Sequence, residues 1–575
     1  MNAFDTFRER LARADALLPL TVLGAVSGLI TGGVIIAFRW ITEGILPGLG
    51  LVTHAEAFET LDWPLRLLLP VLGALAVGAL FQAASVRGRQ VGVVHVMERL
   101  AYHAGRMPLR NAVLQFVGGA VSIVCGHSVG REGPVIHVGA ASASLMGQWL
   151  RFPNNSIRTL VACGIAAGIA ASFNTPVAGV IFAMEVVMLE YSAVGFTPVI
   201  LAAVCATSLS RAVYGAEPAF AVPALQLVSL WELPFLILVG TVIGCLASAL
   251  VALVPAVDAR LRHLALWLRA SAAGAAVGLL ALAVPEVMGV GYDTVNATLL
   301  GLLGLQTLLA IAAAKLLASA LCIGLGLPGG VIGPTLVVGA TAGGALGVIG
   351  HGLVPGLSAD SGLYAMLGMG AMMGATLQAP LAALMAILEL TANPNIILPG
   401  MLVIVSASMT ARLVFGRDSL FVAMLRGRGL DYRYDPVAVS LERTGVSAVM
   451  SRRLTPTPAT VPIDRCAALL ARSPDWLLVV DDRAVVGVVP AERAARLVAE
   501  HDADGGEVDL AAASVADGRL AVIAPLATLR EALDRLDAEG ADFALVSRSG
   551  RIAPEAVTGV VTREQIESSV RYRGG

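Results

Sequence analysis

From about residue 17 to residue 415, apolar runs follow one another with only short polar breaks. Many of them stop at Gly or Pro after about 12 to 18 residues, where a clean membrane-spanning helix needs about 20. The pattern predicts short, broken and tilted membrane helices. Interrupted helices are tolerated at membrane depth only where their freed backbone groups line a cavity or an ion site, which implies a transporter or channel. Beyond residue 440 the pattern changes. Short β-like runs alternate with helical stretches: WLLVVDD, AVVGVVP and AERAARLVAE, and later DFALVSRSG and AVTGVVTREQIESSV. These predict two β-β-α units, each ending in a G-V-V strand and a helix, at Gly487 and Gly559. A soluble pair of this kind, appended to a membrane domain, reads as a cytoplasmic regulatory module.

Composition sharpens the division. The chain of 575 residues is 57% apolar and 14% charged, with a mean hydropathy of +0.80, unlike water-soluble domains. Of the charged residues, 44 lie in the first 440 positions and 36 in the last 135, so the first region is bilayer-like and the second soluble. A net charge of −2 argues against nucleic acid as a partner. Lys315 is the sole lysine; arginine carries nearly all positive charge, the codon bias of a GC-rich, bacterial genome. Cys125, Cys163, Cys205, Cys245, Cys322 and Cys466 are scattered without metal or disulfide spacing and read as small core residues. The run from Leu17 to Ile36 lacks a small-residue cleavage site and is expected to be a first membrane helix, not a signal peptide.

Two stretches resemble each other. GIAAGIAASFNTPVAGVIFAME (Gly164 to Glu185) lies over GMGAMMGATLQAPLAALMAILE (Gly368 to Glu389), matching Pro176 to Pro380 and Glu185 to Glu389. Upstream of each is a Gly-Pro loop, GREGP ending at Pro134 and GVIGP ending at Pro334. Four markers in order at nearly equal offset indicate an internal duplication. The expected domains are 1–435, a membrane domain with repeats over about 17–215 and 229–430, and 436–575, with halves over about 446–500 and 510–575. Most of the 62 glycines are expected to serve close helix contact.

GREGPVIHVGAASAS and LPGGVIGPTLVVGATAGG each place Gly and Pro at the opening of an apolar helix. Free N–H groups and the positive dipole end make such a terminus an anion site without a cationic side chain. Two of them converging would hold an anion at the membrane midplane. Glu132, at the start of one, would compete with the anion for the same N–H groups; its blander role is a salt bridge with Arg131 that caps the helix. His95, His127 and His137 lack metal-site spacing and read as core or cavity residues. No H-E-x-x-H, G-x-S-x-G or phosphate-loop signature favours an enzyme.

GREGP at 130–134, GIAAGIAASFNTPVAGVIFAME, GGVIGP at 329–334 and GATLQAPLAALMAILELT together resemble the CLC family of chloride channels and proton-coupled chloride exchangers, over most of residues 17–430. The two C-terminal units look like the paired CBS (cystathionine β-synthase-type) domains of many family members. The resemblance implies an all-α polytopic membrane domain, an inverted repeat of tilted, broken helices, followed by a cytoplasmic α/β CBS pair. It also implies a homodimer in the bilayer with one anion path per subunit, and Glu132 as the gate. Backbone amides of Val331 and Ile332 would hold the central anion, with those of Arg131 and Gly133 at the outer position. Three positions depart from the family. Val91 replaces an anion-binding serine, Phe421 an anion-binding tyrosine, and Val186 the inner proton glutamate of the exchangers. The expectation is therefore a passive, channel-like path in a bacterial inner membrane for chloride, bicarbonate, nitrate or a similar anion. The alternative is an exchanger whose internal carboxylate has moved, to Glu185 or Glu190. No metal or organic cofactor is expected. In the CBS pair, the family's nucleotide pattern G-x-x-T-x-x-D meets Gly487, Pro490 and Arg493 in the first unit and Gly559, Thr562 and Gln565 in the second, so nucleotide binding is doubtful.

Overall fold

The computed structural model describes residues 7–8, 11, 16–189, 193–220, 225–355, 358–430, 436–482, 484–501, 506–514, 521–550 and 552–571. They form two compact units, one of residues 20–149 and 158–433, the other of residues 434–575 with 1–19 and 150–157. The last two segments join the second unit because Ser156 Oγ donates to the Leu11 carbonyl (3.1 Å) and Asn155 Nδ2 to that of Arg443 (3.1 Å).

In the membrane unit the first repeat is α1 (Leu17–Gly48), α2 (Trp63–Ala83), α3 (Gly92–Tyr102), α4 (Leu109–Val124), α5 (Glu132–Trp149), α6 (Asn154–Phe173), α7 (Pro176–Phe182) and α8 (Ala193–Tyr214). The second is α9 (Leu233–Leu261), α10 (Leu266–Ala283), α11 (Tyr292–Leu299), α12 (Leu305–Gly324), α13 (Ile332–Leu353), α14 (Ser361–Leu377), α15 (Pro380–Thr391) and α16 (Ile397–Met409), followed by α17 (Leu420–Gly427). Among the described residues nine helices are long and apolar enough to cross a membrane. Others are far shorter, as predicted: α3 has 11 residues, α11 eight and α15 twelve. At the opposite extreme α1 has 32 residues; at 1.5 Å per residue it is about 48 Å long, so it must tilt in a hydrocarbon layer of about 30 Å.

The duplication is visible in packing. A Cβ on Gly164 of α6 would lie 2.7 Å from the Gly139 carbonyl carbon of α5, and one on Gly339 of α13 would lie 2.7 Å from the Gly368 carbonyl carbon of α14. In both repeats two backbones touch where a side chain would hold them apart. Elsewhere the repeats clasp each other. Glu185, in the π-helical turn Ala183–Met188 that continues α7, accepts from Leu381 N (3.3 Å) and Ala382 N (2.6 Å) at the start of α15. Glu389 at the end of α15 accepts from Val177 N (3.0 Å) and Ala178 N (2.7 Å) at the start of α7. This reciprocity is the two-fold of an inverted repeat.

The second unit holds α18 (Pro436–Arg443) and two copies of a β-α-β-β-α arrangement: β1 (Leu454–Pro458), α19 (Ile463–Leu470), β3 (Trp476–Asp481), β4 (Ala484–Pro490) and α20 (Ala491–His501), then β6 (Ala521–Ile523), α21 (Leu529–Glu539), β7 (Phe543–Ser547), β8 (Val557–Thr562) and α22 (Arg563–Arg571). Each sheet pairs its first strand parallel to the second and its second antiparallel to the third. A small antiparallel pair joins β2 (Thr460–Pro462), between β1 and α19 of the first copy, to β5 (Glu507–Asp509), which follows α20. The sequence pattern missed the leading strands. β1 reads LTPTP and is an edge strand, where proline is admissible, and β6 has three residues. The sheets of the two copies share one core, with Leu478, Val485 and Val488 against Phe543, Leu545 and Val560. This is the arrangement expected of a CBS pair.

At the start of α22, Thr562 Oγ1 accepts from Gln565 N (3.1 Å) and Thr562 N donates to Gln565 Oε1 (3.0 Å). This reciprocal cap engages the two groups that a nucleotide would need. Millimolar ATP titrated into the full-length protein should therefore give no binding heat in calorimetry, and Gln565→Asp, which restores the family's acid, should be required before any is seen. Replacing Gly368 by Ala should destabilise the membrane unit by about 1–3 kcal/mol through overpacking, read as a lower Tm in detergent.

Candidate functional site

Two turns that start helices are joined at the centre of the membrane unit. Gly130 N donates to the Gly330 carbonyl (2.8 Å) and Gly330 N to the Gly130 carbonyl (2.6 Å), an isolated antiparallel bridge. The bridge brings the N-termini of α5 and α13 together. Glycine is required here, since a Cβ on Gly133 would lie 2.7 Å from the Gly329 carbonyl carbon and one on Gly330 would lie 2.5 Å from Gly133 N.

Glu132, the first residue of α5, is buried. Its Oε1 accepts from Gly333 N (3.0 Å) in the first turn of α13, while Oε2 has no hydrogen-bond partner among the described residues. The carboxylate thus engages an amide of the helix start to which the sequence assigned an anion, that of Gly333, one residue beyond Ile332. Arg131 does not pair with it. Its Nη1 donates to Glu43 Oε1 (2.6 Å), and its guanidinium lies 4.7 Å from the Phe173 ring and 5.3 Å from that of Tyr292. Neighbouring residues at a helix start point in different directions, so the salt bridge between these two side chains does not form.

A cavity of about 420 Å³ opens beside Glu132. Val91, Gly133, Val331, Ile332 and Phe421 line it, as does Gln115. Five of the predicted anion-site positions and the predicted gate are thereby brought together; Arg131 is not among the lining residues. Val331 is the N-cap of α13 and Val91 that of α3, so three helix N-termini open onto one cavity. At such ends up to four N–H groups lack intrahelical partners. Arg89, Arg262, Arg269 and Arg428 also line it, against one carboxylate besides Glu132, that of Asp258. A smaller apolar cavity of about 30 Å³, bounded by Phe173, Phe182, Tyr292 and Leu336, also touches Glu132. The gate candidate therefore borders both spaces.

Val186, buried in the turn after α7, lines neither cavity. Glu185, beside it, caps α15, and Glu190 lies outside the described residues. His127 sits within 2.9 Å of the Ser122 carbonyl and 2.8 Å of that of Pro70, and His95 Nδ1 lies 3.2 Å from His137 Nε2. These are core contacts; among the described residues no group of acidic, His or Cys side chains could hold a metal. Lys315, fully buried, donates to the carbonyls of Val287 (3.0 Å), Met288 (3.3 Å) and Gly289 (2.8 Å) and so ties the segment leading into α11. Sequence reasoning missed that role, and it missed Gln115, whose signal is a carboxamide inside the apolar run AVLQFVGGAVSIV.

Comparison with known proteins agrees with this geometry. A family model described as "Voltage gated chloride channel" matches residues 72–412. The chain is 34% identical over 396 residues to a protein of Ralstonia nicotianae named as a ClcB-like chloride channel protein, covering 68% of this chain and 91% of that one. It is 27% identical over 426 residues to the H(+)/Cl(−) exchange transporter ClcA of Citrobacter koseri, covering 72% and 89%. In fold, a crystal structure of a eukaryotic CLC transporter matches with a TM-score of 0.60 at 18% identity, over 96% of this chain and 98% of that one. With two converging helix termini, a buried glutamate between them and these relatives, the chain belongs to the voltage-gated chloride channel (CLC) family and is a multi-pass membrane protein of CLC-type anion transport.

Proposed function

We propose that this protein exchanges a small inorganic anion for protons across a bacterial inner membrane, with Glu132 as both gate and proton carrier. The carrying observation is the Glu132 carboxylate, with one oxygen on Gly333 N and the other unpartnered, at the meeting point of α5 and α13. Ionised, it is drawn to the helix termini and excludes the anion; protonated, it loses that attraction and yields the place. The same event that opens the path loads a proton. Backbone amides at Val331 and Ile332 would hold the central anion and those of Arg131 and Gly133 an outer one, and the arginine-lined part of the cavity concentrates anions before entry. Likeness to an exchange transporter supports coupling. The protein would act as a homodimer with one path per subunit, its CBS pair on the cytoplasmic side, without a metal or organic cofactor.

A second reading, a passive anion path, has its own observation. Val186 cannot bind a proton, and Glu185, the carboxylate next to it, is engaged as a helix cap. Chloride efflux and pH recorded together on protein in liposomes separate the two. Exchange requires that an imposed chloride gradient drive protons uphill; the passive reading requires chloride movement with none.

Glu132→Gln should abolish proton movement and the pH dependence of chloride flux while flux itself persists. In the wild type, lowering pH raises the protonated fraction of Glu132 and should raise flux; an unchanged pH response in the variant would remove Glu132 from the gate.

Val91→Ser with Phe421→Tyr should tighten chloride binding and slow flux, since each hydrogen bond to a charged group contributes about 1.5–3 kcal/mol, neighbouring gains do not add fully, and tighter binding slows release. Titration calorimetry and liposome flux on the double variant check both halves.

A further inference from the structure

Gln115 lies in the middle of α4 with 0% of its surface exposed. Neither its Nε2 nor its Oε1 has a hydrogen-bond partner among the described residues. Burying a carboxamide with both ends unpartnered is unfavourable, whereas Leu or Met has a similar volume without the polar atoms. The residue borders the cavity that Val91, Glu132, Gly133, Val331 and Phe421 share, its amide packed just behind the cavity wall. Gly119, one turn along α4, lies against it: a Cβ there would come 3.3 Å from Gln115 Nε2 and 2.6 Å from Pro134 Cγ. The amide is thus beside the first turn of α5, at one of the helix termini that open onto the cavity, and Gly119 leaves it room.

We propose that the Gln115 carboxamide donates its N–H groups to the transported anion, as the side-chain donor of a site whose two hydroxyl positions are filled by Val91 and Phe421. A carboxamide offers two N–H donors and a carbonyl acceptor with no net charge. The donors bind a halide or a small oxyanion, and the acceptor takes a hydrogen bond from water that accompanies it. Neutrality keeps the site shallow enough for release, which transport needs as much as binding. This inference rests on the reading that the anion occupies the cavity beside Glu132.

The test uses full-length purified protein carrying Glu132→Gln, so that the carboxylate no longer competes with the anion. Chloride is titrated calorimetrically in gluconate buffer, and Tm is measured with and without chloride. Adding Gln115→Leu should weaken chloride binding about tenfold or more, the loss of one hydrogen bond to a charged group, and should shrink the chloride-induced rise in Tm. Without chloride, Tm should be unchanged or higher, since an unpartnered buried amide has been removed. Gln115→Met should behave alike, and Val91→Ser added to Gln115→Leu should restore part of the affinity. Equal chloride affinity with and without Gln115 overturns the proposal, as does a lower chloride-free Tm in both the Leu and Met variants, which would make the amide a structural group. If the Glu132→Gln parent binds no chloride at all, the anion site itself is refuted and the role of Gln115 falls with it.

Discussion

The structure of the membrane unit turns on one constraint: backbone N–H groups at helix starts, buried among apolar side chains, need a negative partner. The bridge between Gly130 and Gly330 locks two such starts side by side, and each carries about half a positive charge. Left empty, two like partial charges in a low-dielectric interior repel one another. Glu132 relieves this by placing an oxygen on Gly333 N; a bound anion relieves it equally well. In the proposed mechanism gate and substrate are therefore alternatives by electrostatics, and the glycines at 130, 133 and 330 follow, because only bare backbone permits the approach.

The three glutamates of the repeat show how the same chemistry yields two behaviours. Glu185 and Glu389 each accept two backbone N–H bonds from the first turn of a helix that begins with proline. Pro176 and Pro380 have no N–H to offer, so the next two amides are the ones presented, and a carboxylate holding both has little reason to move. These two are clamps that hold repeat to repeat. Glu132 holds one amide and leaves its second oxygen without a partner. The proposed gate differs from the clamps by that one missing bond.

What could be read from the sequence was local or repeated. The Gly-Pro helix openings, the Pro176/Pro380 and Glu185/Glu389 correspondence, the short helices and the change of pattern near residue 440 all leave marks within a few residues. Partnerships across the chain leave none. Arg131 meets Glu43, 88 positions away, and Lys315 meets three carbonyls more than 25 positions away, because periodicity says which face of a helix is buried but not what it is buried against. β1 was hidden by Pro456 and Pro458, which suit an edge but not a central strand. Gln115 was visible as a polar residue in an apolar helix; only the three-dimensional arrangement shows that it borders the same cavity as Val91 and Phe421.

The replacement at Val91 changes more than one donor. A serine at the N-cap of α3 would bring a hydroxyl that can donate to an anion, yet its oxygen would also accept from an amide of the helix it caps. Valine gives up the hydroxyl and leaves the first-turn amides of α3 without a side-chain acceptor, and Val93 and Val94 of that turn line the cavity. If the anion binds where we propose, the site would thus shift from hydroxyl donors toward backbone donors, supplied by three helix starts at once. An array of amides is indifferent to the detailed shape of an anion. Along the proposed path discrimination would then come from the cost of stripping water as the ion passes the apolar side chains of Ile332 and Phe421, which would favour the more weakly hydrated anions over the strongly hydrated ones.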